Sequence, residues 1–330
     1  MLEHTESRPH FHPHTHGAIE PAVLDTQCGI RAVNSSSFLL LVTGVLQVIV
    51  VLLSNSAALL ADAIHNLADV ATAVPLWIAF VLSRWKPTNR FTYGYGRVED
   101  LAGLMVIIVI TLSGVASGYV AINRLFHPQP IAYIGIVIAA SLLGFLGNEG
   151  AAMIRIKAGK EIGSAALIAD GNHARADGFT SLGVLLGAVG VWLGYPLADP
   201  LFGLLITLVI FLIVWESGKT VLTRLLDGVD PQVIEEIKHV MLEAPGVQEV
   251  TDVRVRWLGH RMHAEANIAV ISDLSIERGH EIAKEARHLL LHHLNYLSNA
   301  TIHIDPLNAS GEKHHGIANH VHDDLPAHSH

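Results

Sequence analysis

Six long apolar stretches, separated by short polar breaks, dominate the first two thirds of the chain. They run approximately over residues 36–54, 57–83, 98–122, 131–155, 163–193 and 199–221. Each is close to or above the roughly 20 residues that an α-helix needs to cross about 30 Å of hydrocarbon. The pattern therefore predicts six transmembrane helices, called spans 1 to 6 in chain order.

Shorter amphipathic elements follow the last span. Asp230 and Pro231 predict a helix start, because Asp caps helices well and Pro suits the first turn. Alternating apolar and polar residues then predict strands over 247–257 and 261–271. A helix over about 275–294 and a strand over 300–305 are predicted to follow. The order α-β-β-α-β predicts a small ferredoxin-like α+β domain at the C-terminal end.

The alternation also assigns a face to each strand residue. On the second strand, five residues are predicted to face the core: Met262, Ala264, Ala266, Ile268 and Val270. His263 falls on the opposite face. On the last strand, Ile302 and Ile304 are predicted to point inward, and His303 and Asp305 outward.

Composition agrees with a membrane protein. Of the 330 residues, 51% are hydrophobic and only 15% are charged, and the mean hydropathy is +0.42. The single cysteine, Cys28, excludes an internal disulfide framework and a Cys-rich zinc site. The formal net charge of −9 argues against nucleic acid as a partner.

Histidines crowd the two ends of the chain, in interrupted tracts typical of disordered metal-binding tails or of tails without a role. The first thirty residues lack a basic segment followed by an apolar one, so we expect no cleaved signal peptide. The predicted division is a His-rich N-terminal tail (1–33), a six-helix transmembrane domain (34–226), a cytoplasmic metal-binding and dimerisation domain (227–306) and a His-rich C-terminal tail (307–330).

The basic residues predict the orientation. One side carries Arg31, Arg84, Lys86, Arg90, Arg97, Arg155, Lys157, Lys160, Lys219 and Arg224. The opposite loops carry only Arg124. By the positive-inside rule both termini are cytoplasmic. We therefore expect a multi-pass integral protein of a bacterial inner membrane.

One phrase occurs twice, and both copies lie inside predicted spans. Residues 56–69 read SAALLADAIHNLAD, and residues 164–177 read SAALIADGNHARAD. Charged groups at membrane depth are costly and usually mark an ion pathway. Spans 2 and 5 run in opposite directions, so the duplication predicts an inverted 3+3 repeat with a shared site near the midplane.

The repeated phrase predicts a four-ligand metal site. His65 and Asp69 share one helix face because they are four residues apart, and so do His173 and Asp177. Two imidazoles and two carboxylates suit tetrahedral Zn²⁺. A further carboxylate precedes each histidine by three residues, and these two could orient the ligands or continue the ion path: Asp62 and Asp170. The alternative is that each polar group merely bonds a neighbouring helix.

The two HxxxD pairs and the segment Gly94–Glu99 (GYGRVE) resemble the cation diffusion facilitator family over about residues 34–306. The resemblance implies a homodimeric exporter, not an enzyme, that exchanges divalent metal ions for protons. It implies that His65, Asp69, His173 and Asp177 are the transport ligands. A His at position 65 implies a zinc transporter that disfavours cadmium. The loop over 86–96 has aromatic residues where some members place further metal ligands, so we expect no site there.

The resemblance also implies regulatory zinc in the cytoplasmic domain. His280, His303 and Asp305 match such ligands, and His263 is a plausible addition. Thr251 and Asn267 stand where the family has other histidines, which puts a binuclear site in doubt. The alternative is a set of solvated surface histidines.

The sequence thus predicts proton-coupled export of Zn²⁺ from the cytoplasm by alternating access. Competition between protons and metal for histidine supplies the coupling. Broader export of Co²⁺, Ni²⁺, Mn²⁺ or Cd²⁺ is the main alternative, because imidazole suits several of these ions. A membrane metal sensor is a further one. An intramembrane metalloenzyme is disfavoured by the lack of an HExxH helix.

Overall fold

A computed structural model of the chain describes residues 21–54, 73–127 and 134–311. Its membrane part contains helices α1 (Pro21–Ser54), α2 (Ala73–Ser83), α3 (Arg97–Phe126), α4 (Ile134–Ile162), α5 (Ala165–Trp192) and α6 (Ala198–Leu225). Four of these, within the described ranges, are long and apolar enough to cross a membrane: α1, α3, α4 and α6. The outer parts of both predicted tails and most of span 2 lie outside the described residues.

Helix α5 packs against α3, α4 and α6. Charged residues interrupt its apolar run, so α5 is not among the four helices named above as apolar enough to cross a membrane. Most of its first half is nevertheless buried. Small residues permit the close contact. A Cβ at Gly171 would lie only 2.6 Å from Ile156 Cγ1 of α4. The helix with the second copy of the repeat is therefore enclosed largely by protein.

Two helix boundaries differ from the predicted ones by more than about one turn. Helix α1 begins at Pro21, well before the predicted start at 36, and its added turns contact the cytoplasmic domain through Thr26. Helix α4 continues to Ile162, although Lys157 and Lys160 predict a break. Lysine is a good helix former, and its ammonium can extend towards water from a helix end.

The cytoplasmic domain has the predicted order α-β-β-α-β. Its elements are α7 (Pro231–Leu242), β1 (Glu249–Leu258), β2 (Arg261–Val270), α8 (Ile276–His293) and β3 (Leu297–Pro306). Strand β2 is central, antiparallel to β1 and parallel to β3. Helix α8 is the crossover that a parallel pair requires. The five residues of β2 predicted to face the core are all buried, which confirms that face.

The burial of one outward-facing strand residue was not predicted. Asp305 is 3% exposed, whereas the predicted outward position implies solvent contact. Its neighbours Ile302 and Ile304 are only partly buried. Asp305 lies beside Ala269 of β2, which is itself fully buried. Alternation determines the side of the sheet that a residue takes, but not what covers that side.

Candidate intramembrane metal site

The second copy of the repeat places two potential ligands together on α5. His173 and Asp177 are both buried, one helical turn apart, and His173 Nδ1 lies 3.5 Å from Asp177 Oδ2. Neither ring nitrogen of His173 has a hydrogen-bond partner within the described part of the chain. Burying a polar nitrogen without such a partner costs free energy. A bound metal ion would satisfy the imidazole.

The first copy of the repeat falls outside the described residues, because α2 is described only from Ala73. This applies to Asp62, His65 and Asp69. The structure therefore describes two members of the predicted four-ligand set, His173 and Asp177, and the metal site as a whole stays a prediction.

Asp170, predicted to orient a ligand or continue the ion path, forms an ion pair with an arginine of α4. Its Oδ2 lies 3.0 Å from Nη1 of Arg155 on α4, and both side chains are fully buried. Arg155 Nε also donates a hydrogen bond of 2.8 Å to Ser36 Oγ of α1. The guanidinium neutralises the one further carboxylate on the ligand face of α5.

The burial of Arg155 was not predicted. The positive-inside pattern places it on the cytoplasmic side, at the last residue of predicted span 4, and its side chain is buried inside α4. An internal partner explains its place, because a buried charge is tolerated when it is paired. The signal in the sequence is an Arg near the end of span 4 and an Asp near the start of span 5.

A second ion pair joins the same two helices and was not predicted. Arg175 of α5 contacts Glu149 of α4 through Nη2–Oε1 at 2.8 Å and Nε–Oε2 at 3.2 Å. The pair is half-buried. Such two-pronged contacts fix geometry as well as charge. Opposite charges in adjacent predicted spans were the available signal.

The cytoplasmic candidates are only partly brought together. His303 Nε2 lies 3.0 Å from Asp305 Oδ1 on β3. His263 aligns with Asn299, whereas His303 aligns with Asn267. Four residues of strand separate the two positions, about 13 Å at roughly 3.3 Å each. His263 is therefore placed apart from His303 and Asp305.

The surroundings of His263 also disfavour a bound cation. Burial lowers the pKa of His263, and the charges of Arg256 and Arg261 lower it further, while Glu265 opposes them. The imidazole is neutral at pH 7, as a ligand must be, but a metal ion would meet two guanidinium groups. The ring of Tyr93 also faces it, with centroids 6.3 Å apart.

His280 is exposed on α8. Over the ranges that the structure describes, no group of three or more His, Cys, Asp or Glu side chains is placed to hold a metal ion. The predicted regulatory site thus does not assemble there within one chain. The positions Thr251 and Asn267 lie together, with Thr251 Oγ1 donating 3.4 Å to the Asn267 carbonyl.

Two family models and several known proteins are similar to this chain. The model of the cation efflux transmembrane domain matches residues 34–226, and that of the cation efflux protein cytoplasmic domain matches residues 229–307. A probable cation efflux system protein of Mycobacterium tuberculosis is 50% identical over 299 residues, which is 90% of each chain. A manganese efflux system protein of Bacillus subtilis is 28% identical over 77% of this chain and 88% of its own length. A solved MamM CTD in its manganese form is 22% identical, with a TM-score of 0.23, over 23% of this chain and 96% of that one.

Proposed function

The chain belongs to the cation efflux (cation diffusion facilitator) family, whose members are transporters of divalent metal ions rather than enzymes, and we propose that this one exports Zn²⁺ in exchange for protons. The observation that carries the proposal is the buried pair His173 and Asp177, whose imidazole has no hydrogen-bond partner among the described residues. Helix α5 holds both groups inside the bundle, where a bare cation would need them.

In this proposal His65 and Asp69 of the first repeat copy complete the site. Two imidazole nitrogens and two carboxylate oxygens form the tetrahedral set that Zn²⁺ accepts, and the two negative charges balance the ion. The ion pair with Arg155 keeps Asp170 from adding a third negative charge. The metal is the transported substrate.

Proton exchange follows from ligand chemistry. A histidine must be deprotonated to bind metal, and an imidazole ordinarily titrates near neutral pH. Metal entering from the cytoplasm would displace protons, and protons returning from the other side would release it. In this proposal the protein is a homodimer of a bacterial inner membrane, with both termini in the cytoplasm, as the distribution of basic residues supports.

Manganese export, or broader divalent export, is the second candidate. A relative with similarity over 77% of this chain is named a manganese efflux protein. Carboxylate oxygens suit Mn²⁺, whereas the imidazoles suit Zn²⁺, Co²⁺ and Ni²⁺. The ion preference thus depends on how much His65 and His173 contribute to metal binding, relative to the two carboxylates.

The test is ion flux into liposomes containing the purified full chain. Zn²⁺, Mn²⁺, Co²⁺, Ni²⁺ and Cd²⁺ are offered separately, with and without a pH gradient. We expect Zn²⁺ flux that rises with the gradient, and a gain of Cd²⁺ flux in His65→Asp. Flux should fall in Asp177→Asn by at least the roughly 10–100-fold that the loss of a group supporting a metal ligand costs. Asp273→Asn, at an exposed cytoplasmic position, is the matched control.

Three results would contradict the proposal in separable ways. Normal flux in Asp177→Asn would remove α5 from the site. Zinc flux that ignores the pH gradient would end proton exchange. Faster Mn²⁺ than Zn²⁺ flux would favour the second candidate.

A further inference from the structure

A buried chain of hydrogen bonds connects the cytoplasmic domain to the start of α5. Its four members come from four elements: Thr26 of α1, His260 of the β1–β2 turn, Glu99 of α3 and Ser164, the residue before α5. All four are at most 2% exposed. The transport site described above uses none of them, and Glu99 lies in the GYGRVE segment that the sequence singles out.

The turn between β1 and β2 fits directly onto α3. Gly259 has φ +66°, and a Cβ there would lie 2.7 Å from Glu99 Oε2 and 2.8 Å from the Gly96 carbonyl oxygen. Only glycine meets both conditions without strain. The Gly259 amide also donates 3.3 Å to Asp100 Oδ2. The turn is therefore built to insert His260 beside Glu99.

The donors and acceptors of the chain are mutually consistent. Arg261 donates to Thr26 Oγ1 at 3.2 Å, and the Thr26 hydroxyl can donate to His260 Nε2 at 3.3 Å. His260 Nδ1–H then donates to Glu99 Oε2 at 2.7 Å, and Ser164 Oγ–H donates to Glu99 Oε1 at 2.5 Å. A neutral His260 and a carboxylate at Glu99 satisfy every step. Low surrounding polarity strengthens such a network.

The last member of this hydrogen-bond chain, Ser164, is the N-cap of α5. Ser164 Oγ accepts a hydrogen bond of 3.0 Å from the Leu167 amide, which fixes the first turn of the helix. His173 and Asp177 lie further along that same helix. The hold on Ser164 thus fixes where the ligand-bearing helix starts relative to α3 and to the cytoplasmic domain.

We propose that Glu99 and His260 are positioning residues for transport, which act on α5 through its cap at Ser164. They do not contact the metal, since nine residues separate Ser164 from His173, about 13 Å along a helix. Their loss should therefore slow the movement of α5 and leave metal binding nearly intact. The transport arm of the test rests on the proposed function, whereas the amide-exchange arm does not.

The test uses a matched pair of substitutions at His260 in the full chain. Asparagine places its amide NH₂ where Nδ1–H lies and can still donate to Glu99. Glutamine places its NH₂ at the Nε2 position and cannot. Ser275→Ala is the control for the loss of a helix cap alone. Ser275 is the N-cap of α8, in the cytoplasmic domain, and its Oγ accepts a hydrogen bond of 3.2 Å from the Arg278 amide.

We expect His260→Gln to raise hydrogen exchange of the amides at residues 165–168, although His260 belongs to another domain. Turnover per folded protein should fall about tenfold, as it does when groups that orient metal ligands are lost. The KM for the metal should stay within about threefold of that of the unchanged protein, because binding is not affected. His260→Asn and Ser275→Ala should behave like the unchanged protein in both measurements. If His260→Gln does not fold, Glu99→Gln gives the same test from the α3 side.

Two outcomes would overturn the proposal. Slower turnover with unchanged exchange at 165–168 would show that the effect does not pass through the cap. Faster exchange with unchanged turnover would show that these hydrogen bonds stabilise the structure but do not affect transport. Because exchange is measured without any metal, a protein that fails to transport Zn²⁺ would still show whether His260 acts on the cap at Ser164.

Discussion

Two ion pairs of similar length lie in very different parts of the molecule. Arg155 and Asp170 join α4 and α5 at 3.0 Å, with side chains 1% and 0% exposed. Arg278 and Glu281 lie on α8 at 2.7 Å, with side chains 58% and 64% exposed. The shorter pair is the weaker one by physical argument, because water and salt screen it. Burial, not distance, decides what each pair contributes.

The difference arises from what replaces a lost partner. On α8, a freed carboxylate is hydrated at once. Between α4 and α5, a freed carboxylate at Asp170 finds no water and keeps its full desolvation cost. A buried pair thus adds little net stability, but the loss of either member alone is strongly destabilising.

The largest expected effect is from Arg155→Met. It leaves Asp170 buried without its cation, which should lower the free energy of unfolding by about 3–5 kcal/mol. The measurement is unfolding of the purified protein by SDS in mixed micelles, followed by circular dichroism.

The double variant Arg155→Met with Asp170→Leu is the sharper version of that test. It removes both charges, so most of the lost stability should return. Asp170→Leu alone should be as damaging as Arg155→Met, because it leaves the guanidinium unpaired. Losses that simply add in the double variant would show that the two side chains are not coupled.

The half-buried pair on the same helices should rank second. Arg175→Gln removes both contacts to Glu149, which remains partly hydrated, so we expect a loss of about 1.5 kcal/mol in the same SDS titration. A loss as large as that of Arg155→Met would mean that burial does not rank these pairs. Glu149→Gln should match Arg175→Gln to within about 0.5 kcal/mol.

The membrane part shows what a sequence can and cannot predict. Apolar runs predicted the described helices, and the duplicated phrase placed two of the proposed ligands on α5. The partners of its charges were not predictable in this way, because Arg155 meets Asp170 only through the rotation of α4 against α5. That rotation follows from close contacts such as Gly171 against Ile156, which a single sequence does not reveal.

In the cytoplasmic domain, too, local features were predicted correctly and contacts between elements were not. Alternation correctly predicted the core face of β2, because period two is a local property. The grouping of His263 with His303 required the parallel register of β2 and β3, and that register is a non-local one. The burial of Asp305 is likewise set by neighbours from other elements.

His263 offers a smaller test of burial outside the membrane. Burial and the two neighbouring arginines lower its pKa in the folded protein, so the folded state binds fewer protons than the unfolded state below the usual value of about 6.5. Stability should therefore be unaffected at higher pH and should fall as the pH drops below that value. In thermal unfolding of the full chain at about pH 5.5 and about pH 7.5, His263→Gln should reduce the difference between the two midpoints. An unchanged difference would mean that His263 is as well solvated as the surface histidines.

The smallest effect is expected at the exposed pair on α8. Arg278→Ala should change the free energy of unfolding by less than about 0.5 kcal/mol, because the ions are hydrated with or without each other. Protection of the α8 amides against hydrogen exchange is the measurement, with Glu281→Ala as the matched change from the other side. Added salt separates the two regions further. About 0.5 M NaCl should erase whatever Arg278 contributes, yet leave the loss in Arg155→Met untouched, because ions do not enter the space between α4 and α5. A salt-sensitive Arg155 would place that pair in contact with water and would remove the distinction between the two regions.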